Sequence, residues 1–195
     1  MLVNAPFFCL GQQKGPPPSI QEISWLYESL PKENGKVRWH ESINVDSTLS
    51  AAQLAEKAKS ALLRILPKNR EEEFTEDNNG FRLSAIGTYF VKGGSKNNYF
   101  YHVEGAAEVD VSINIEFHNG SCSVTLSDVA VFIEEGFLSV QFGSKREFTQ
   151  ASLEDVYALS VKSNAKKIER RIFQQTVTQL QEKLDLLKIL MKHKG

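Results

Sequence analysis

Apolar residues recur every three or four positions between residues 51 and 66, the spacing that places one stripe along an α-helix. The stripe consists of Ala51, Leu54, Ala55, Ala58, Ala61, Leu62, Ile65 and Leu66. Ser50 precedes it and Gln53 stands three residues later, so each side chain can accept a hydrogen bond from the other residue's backbone in a capping box. Pro67 disfavours helical geometry at the residue before it. The pattern predicts an amphipathic helix with one buried face.

Strict alternation of apolar and polar residues, typical of half-buried strands, occurs on both sides of this helix. Glu41 is the single violation in the stretch before the helix. The inward-facing positions are Val37, Trp39, Ile43 and Val45, then Phe81, Leu83, Ala85, Tyr89 and Val91, and then Tyr99, Tyr101, Val103, Ala107, Val109, Val111, Ile113, Ile115 and Phe117. These stretches predict an antiparallel sheet with one face turned to the core.

The dipeptide Asn119-Gly120 predicts a tight hairpin turn of type I′. With these residues at the centre of the turn, the facing pairs are apolar: Phe117 with Cys122, Ile115 with Val124, and Ile113 with Leu126. Beyond these pairs Asp128 would fall on the core face, whereas one extra residue near Ser127 restores the apolar phase. We therefore predict a β-bulge at this point.

Clusters of glycine and asparagine predict the remaining connections between strands. An acidic edge strand is expected at 71–76, followed by a turn at 77–80. Gly93–Asn98 is interpreted as a flexible hairpin loop, and one more short strand is expected around Phe137–Phe142.

Two further helices are predicted at the ends of the chain. A capping box at Ser19 opens a short amphipathic helix that ends at Pro31. Helical spacing then continues over residues 152–193 without proline or glycine. At about 1.5 Å per residue, such a helix would extend roughly 60 Å. It must either bend near Ser163 and Asn164 or project and pack on another chain.

The chain thus divides into an N-terminal segment at 1–18, a short helix within 19–31, a domain at 35–148 and a C-terminal helix at 152–193. The predicted fold class is α+β. The expected sheet is antiparallel, in a β-α-β-β-β-β-α arrangement, with one face covered by helices and a long C-terminal helix added.

The first ten residues are mostly apolar and are followed by a polar stretch that begins at Gln12. We interpret 1–18 as the remnant of a secretory signal peptide, cleaved near Gln12 and followed by the stiff Pro16–Pro18 linker. An N-terminus that is disordered or docked on the domain is the alternative. The basic start of a signal peptide is missing, which predicts a true start further upstream. Phe8, next to Cys9, is too bulky for a lipid-modified cysteine.

Composition narrows the classes of function. The formal net charge of −1 predicts no general attraction to nucleic acid or to an anionic membrane. No apolar run is long enough to span a bilayer. Cys122 falls on the predicted core face and Cys9 in the signal remnant, so no disulfide is expected.

Residue types that carry chemistry are present but scattered. His40, His102 and His118 lie on the polar side of predicted strands, without any spacing typical of metal ligands. The acidic residues Glu104, Glu108, Asp110 and Glu116 extend along one strand, too far for a single calcium or acid–base site. Phosphate-binding glycine motifs and the nucleophile elbow are missing from the sequence. We predict no catalytic residue, no cofactor and no metal ligand.

Two surface features remain candidates for contact with a partner. One is a positive stripe on the last helix, and the other is a pair of tryptophans near one end of the sheet. The expected contact residues are Lys162, Lys166, Lys167, Arg170, Arg171, Trp25 and Trp39. An ordinary solvated helix face is the alternative for the stripe. Because no aromatic residues interleave with it, binding of single-stranded nucleic acid is disfavoured.

The motif Gly35-Lys36-Val37-Arg38-Trp39 before a capped helix, the turn at 77–80, the strand around Gly87 and the hairpin Ser112–Ser127 carry a family resemblance. Together they resemble domain of unknown function 4468, an uncharacterised family of bacterial envelope domains with a fold like the TATA-binding protein. The resemblance covers about 30–142. It implies a βα unit, antiparallel strands and a closing helix in a secreted or envelope protein. It transfers no catalytic residue and does not imply DNA binding.

The sequence therefore predicts a non-enzymatic secreted or envelope domain that binds an unknown protein or small molecule, without a transmembrane segment. One alternative is a metal-dependent or hydrolytic enzyme that uses His40 or His102 with acidic neighbours. A second alternative is a protein that binds nucleic acid through Lys162–Arg171. A homodimer formed through the C-terminal helix is also expected as one mode of assembly.

Overall fold

The computed structural model describes residues 16–45, 48–66, 68–77, 80–98, 101–118, 120–139 and 143–192. Their elements are α1 Ile20–Ser29, β1 Lys32–Glu33, β2 Lys36–Val37, β3 Trp39–Asn44, α2 Ala51–Ile65, β4 Lys68–Asp77, β5 Gly80–Asn98, β6 Tyr101–His118, β7 Ser121–Ser139, β8 Gly143–Ser152, α3 Leu153–Val161 and α4 Lys167–Lys192.

Capping boxes open three of these helices. In α1 and α2 they form at Ser19 and Ser50, as the sequence predicts, and a third forms at Ser152 before α3. Each serine side chain accepts from the backbone three residues later, so a donor that the first helical turn leaves unpaired is satisfied. The periodicity of residues 152–193 is interrupted between α3 and α4, at the residues that include Ser163 and Asn164.

The large sheet is antiparallel, in the order β3-β7-β6-β5-β4. Strand β7 pairs with β3 through its first half and with β8 through its second half, so β3 and β8 lie end to end along the same side of β7. A separate hairpin, β1–β2, turns at Asn34 and Gly35, whose φ angles of 51° and 79° are left-handed. The predicted α+β class with an antiparallel sheet is confirmed.

The predicted register of the β6–β7 hairpin is also confirmed. The facing pairs are Phe117 with Cys122, Ile115 with Val124, and Ile113 with Leu126. The register then shifts, because Ser112 pairs with Ser127 while Asp110 pairs with Ala130. The extra residue lies where the sequence places it, and Asp128 adopts a φ of 49°. The bulge returns the following apolar residues of β7 to the core face.

Two strand predictions are wrong. Gly93–Asn98, interpreted as a loop, belongs to β5: Gly93 lies at a register shift, and the residues after it pair with the first residues of β6. The short strand expected around Phe137–Phe142 does not form as such, because β7 continues to Ser139 and β8 begins at Gly143. Residues 140–142 lie outside the described part of the chain.

Helices α2 and α4 pack on the same face of the sheet and enclose the core. From α4 the buried residues include Ile172, Leu180, Leu184 and Leu187. Glu41, the one polar residue on the inner face of β3, forms an ion pair with Lys188 of α4, at 3.0 Å between Oε1 and Nζ. Glu41, which breaks the alternation, therefore links β3 to the helix that covers it.

Glycines allow α4 to approach β5 and β6 closely. A Cβ atom on Gly105 would lie 2.2 Å from Cγ2 of Ile168, and one on Gly93 would lie 2.7 Å from the same atom. Both distances are shorter than any van der Waals contact. The lack of side chains at these two positions lets Ile168 touch the backbone of the sheet.

We expect Gly105→Ala to destabilise the fold by about 1–3 kcal/mol, because Ile168 must move to admit the methyl group. Gly136→Ala, on the neighbouring strand β7, is the matched control, since its nearest contact would be the Glu104 carbonyl at 4.0 Å. The control should change stability by less than about 1 kcal/mol. Urea unfolding measures both free energies, and equal losses would show that the contact with Ile168 does not limit the packing.

Candidate functional site

The face of the sheet opposite the helices is not covered by any element of the described chain, and we call it the open face. Its outward positions alternate with the buried residues that face the helices. On β5 these positions are Arg82, Ser84, Ile86, Thr88 and Phe90; on β6 they are Glu108, Asp110, Ser112, Asn114 and Glu116; on β7 they are Ser123, Thr125, Ala130, Phe132 and Glu134.

Polar side chains cross one half of the open face from strand to strand. Ser84 Oγ donates to Asn114 Oδ1 at 2.7 Å, and Thr125 Oγ1 lies 3.0 Å from His40 Nδ1 on the outermost strand. Arg82 pairs with Glu116 at 2.6 Å. These neighbouring side chains largely satisfy one another, so this half is a hydrogen-bonded surface.

Aromatic side chains cross the other half. Phe90 on β5 and Phe132 on β7 lie in one transverse row, separated by Glu108 of β6. Phe148 on β8 lies beside this row, opposite Glu134. Phe90 is 54% exposed and Phe148 is 74% exposed. Large aromatic side chains exposed on one face of a sheet are typical of contact sites.

The basic residues predicted to form one stripe are separated by the break between α3 and α4. Lys162 and Lys167 are exposed. Lys166 forms an ion pair with Glu169, and this hydrogen bond raises the pKa of the lysine. Arg171 is half-buried, with its guanidinium against Gly94. The positive surface is therefore smaller than the sequence suggests.

Arg170 does not belong to that surface, because only 4% of it is exposed. Its Nε donates to the Pro18 carbonyl at 2.8 Å, and Nη2 donates to Asn164 O at 3.1 Å. Its Nη1 donates to Ser163 O at 3.0 Å and lies 3.4 Å from Ser160 O. The guanidinium thus satisfies carbonyls at the end of α3 and binds the N-terminal linker. These contacts indicate a structural role for Arg170 and not contact with a partner.

We expect Arg170→Met to lower the free energy of unfolding by about 3 kcal/mol or more, because several buried carbonyls lose a charged donor. Lys167→Met, at the exposed neighbouring position, is the control and should change it by less than about 0.5 kcal/mol. Urea denaturation followed by circular dichroism gives both values. Similar losses in the two variants would contradict the structural role of Arg170.

The two tryptophans also differ. Trp25 is 71% exposed on the outer side of α1, whereas Trp39 is 4% exposed and belongs to the core. Sequence alternation assigns Trp39 to the inner face correctly, and burial there makes it unavailable to a partner. Of the expected contact residues, Trp25, Lys162 and Lys167 are exposed.

A shallow cleft of about 430 Å³ lies beside the β1–β2 hairpin, lined by Pro31, Lys32, Glu33, Arg38 and His40. Arg38 is engaged by Glu33, and Lys32 Nζ donates to the Tyr27 carbonyl at 2.6 Å. The cleft brings a histidine near one carboxylate, but that carboxylate already pairs with arginine.

The enzymatic alternative requires His40 and His102 to lie close together. In the structure they do not. His40 pairs with Thr125 of β7, whereas His102 is registered with Leu138, thirteen residues further along the same strand. At about 3.3 Å per residue, they are roughly 40 Å apart along the sheet. Among the described residues, no three His, Cys, Asp or Glu side chains gather closely enough to hold a metal ion.

Comparison with known proteins gives a likeness of fold. No protein-family model and no curated protein matches the chain. It is similar to the crystal structure of a DUF4468 family protein from Bacteroides ovatus, at 14% identity and a TM-score of 0.53, over 85% of this chain and 91% of that one. A TBP-like protein from Parabacteroides distasonis is similar at 12% identity and a TM-score of 0.48, over 81% and 96%.

The first of these likenesses shows a shared fold. The resemblance to domain of unknown function 4468 is thereby confirmed at the level of the fold. No helix within the described ranges has both the length and the apolar character needed to cross a bilayer.

Proposed function

We propose that the protein is a non-enzymatic interaction domain of the cell envelope, periplasm or secreted fraction, which binds a protein or small-molecule partner. The observation that carries this proposal is the open face with its exposed phenylalanines Phe90 and Phe148. An uncovered sheet face that exposes aromatic side chains offers contact area at little cost in side-chain entropy.

Other surfaces contribute to the proposal in smaller measure. Trp25, Lys162 and Lys167 are exposed on the helical side and are available to a partner. Contact through the C-terminal helix would use Leu186 and Ile189, which are 42% and 51% exposed. Arg170 and Trp39 are left out of the contact surface because both are buried.

Site-specific photo-crosslinking tests the open face. We expect a photoreactive phenylalanine analogue at Phe90, in the organism that encodes the chain, to yield a covalent adduct of defined mass. The same analogue at Leu63 is the matched control, because Leu63 is 63% exposed on the helical side. Adducts at neither site, or equal adducts at both, would contradict binding through the open face.

Export is supported by the apolar start of the sequence and by the family resemblance. We expect the chain recovered from the envelope or secreted fraction to begin near Gln12, as shown by its intact mass. A chain that retains Met1 in the cytosol would overturn the proposed export. In that case, binding of a mixed oligonucleotide pool that weakens with salt would favour the nucleic-acid alternative.

A further inference from the structure

The two long edge strands of the sheet differ in how they are protected from pairing with another chain. In β4, seven of the ten residues are charged, and its register with β5 shifts between Arg70 and Glu73. Charges and bulges on an edge prevent further strands from adding to it. In β8, three of the ten residues are charged and the register with β7 is continuous. The third edge strand, β3, has only six residues.

The middle of strand β8, residues 146–150, also exposes its side chains on both faces. All residues from Arg146 to Gln150 are exposed, and Phe148 among them is 74% exposed. Within the described sheet, β8 pairs with β7 alone. Its far side therefore presents a row of backbone donors and acceptors to an incoming strand.

The occupant of this edge can be chosen from the sequence of β8 itself. Two identical antiparallel edges are related by a two-fold axis perpendicular to the sheet. Residues directly opposite each other must have their side chains on the same side of the sheet. The axis therefore lies midway between the two copies of one residue, which we call an axis at that residue. An axis at Arg146 or Glu147 sets two like charges directly opposite each other, which is destabilising.

An axis at Phe148 gives a self-complementary pairing. It places Arg146 opposite Gln150 and Glu147 opposite Thr149, and it brings the two Phe148 rings together on the open face. Cross-strand aromatic pairs are stabilising. An axis at Thr149 also separates the charges, but it sets Phe148 against the polar Gln150.

We propose that two copies of this chain associate through their β8 strands, antiparallel and with the two-fold axis at Phe148, to form one continuous sheet. This dimer goes beyond the proposed function, because it concerns the edge of the sheet and a second copy of the chain. It also differs from assembly through the C-terminal helix.

Sedimentation equilibrium of the full chain tests the association. We expect a mass that rises with concentration towards twice that of the chain. Phe148→Lys should weaken the dimer at least about tenfold, because two lysines then face each other at the axis. Phe90→Lys is the matched control on the same face, 54% exposed but on an interior strand, and should leave the dissociation constant unchanged.

Cysteine crosslinking tests the register. In a Cys9→Ser, Cys122→Ala background, we expect rapid disulfide-linked dimers with Phe148→Cys, since directly opposed Cα atoms lie about 4.5–5.5 Å apart. Gln150→Cys is the control, because the two positions would be offset by four residues, about 13 Å along the strands and beyond disulfide reach.

Several outcomes would overturn the proposal. A full chain that stays monomeric would do so. The same holds for a chain that dimerises only after residues 1–15 are removed, because the N-terminal segment would then occupy the edge. Loss of the dimer with Phe90→Lys, or with Ile189→Lys but not Phe148→Lys, would place the interface elsewhere. Failure here leaves the crosslinking result at Phe90, and thus the proposed function, unaffected.

Discussion

The contact of Ile168 with the backbone at Gly93 and Gly105 holds the start of α4 on the sheet, and most of the fold depends on where that helix lies. From there α4 crosses the sheet and buries its apolar stripe against it. Along its length it makes polar contacts with three other elements. Tyr89 of β5 donates to Thr176 O at 3.1 Å, and Lys188 pairs with Glu41 of β3.

The third contact joins the two covering helices. Lys183 Nζ donates to the Ile65 carbonyl at the end of α2, at 2.8 Å, and lies 5.1 Å from the centre of the Tyr89 ring. Burial lowers the pKa of this lysine. A cation at the last turn of α2 complements the helix dipole. Because both helices are fixed to the same face in this way, the other face and the edge at β8 remain for contact with other molecules.

Local patterns in the sequence suffice for much of this fold. The two-residue period defines the inner face of β5, β6 and β7. The bulge near Asp128 follows from counting the facing pairs of β6 and β7 away from the Asn119-Gly120 turn. Strand β8 is missed because both faces of its middle, residues 146–150, are exposed, so no alternation marks it. Gly93 is misassigned to a loop, since the close approach of Ile168 that requires glycine comes from a residue far along the chain. In the sequence Arg170 likewise cannot be distinguished from its exposed basic neighbours. Its acceptors are backbone carbonyls, which every residue type carries.

The hydrogen bond from Arg170 to the Pro18 carbonyl has a mechanical consequence. Tension on the chain before Pro18 reaches the fold first at this guanidinium and the end of α3, and then at α1, where Tyr27 stacks on Tyr157 with ring centroids 3.8 Å apart. No edge strand of the large sheet is the first element loaded, because β3, β4 and β8 all follow α1 in the chain. A pull on the linker is therefore transmitted to the helical end of the molecule before it reaches the strands that form the open face.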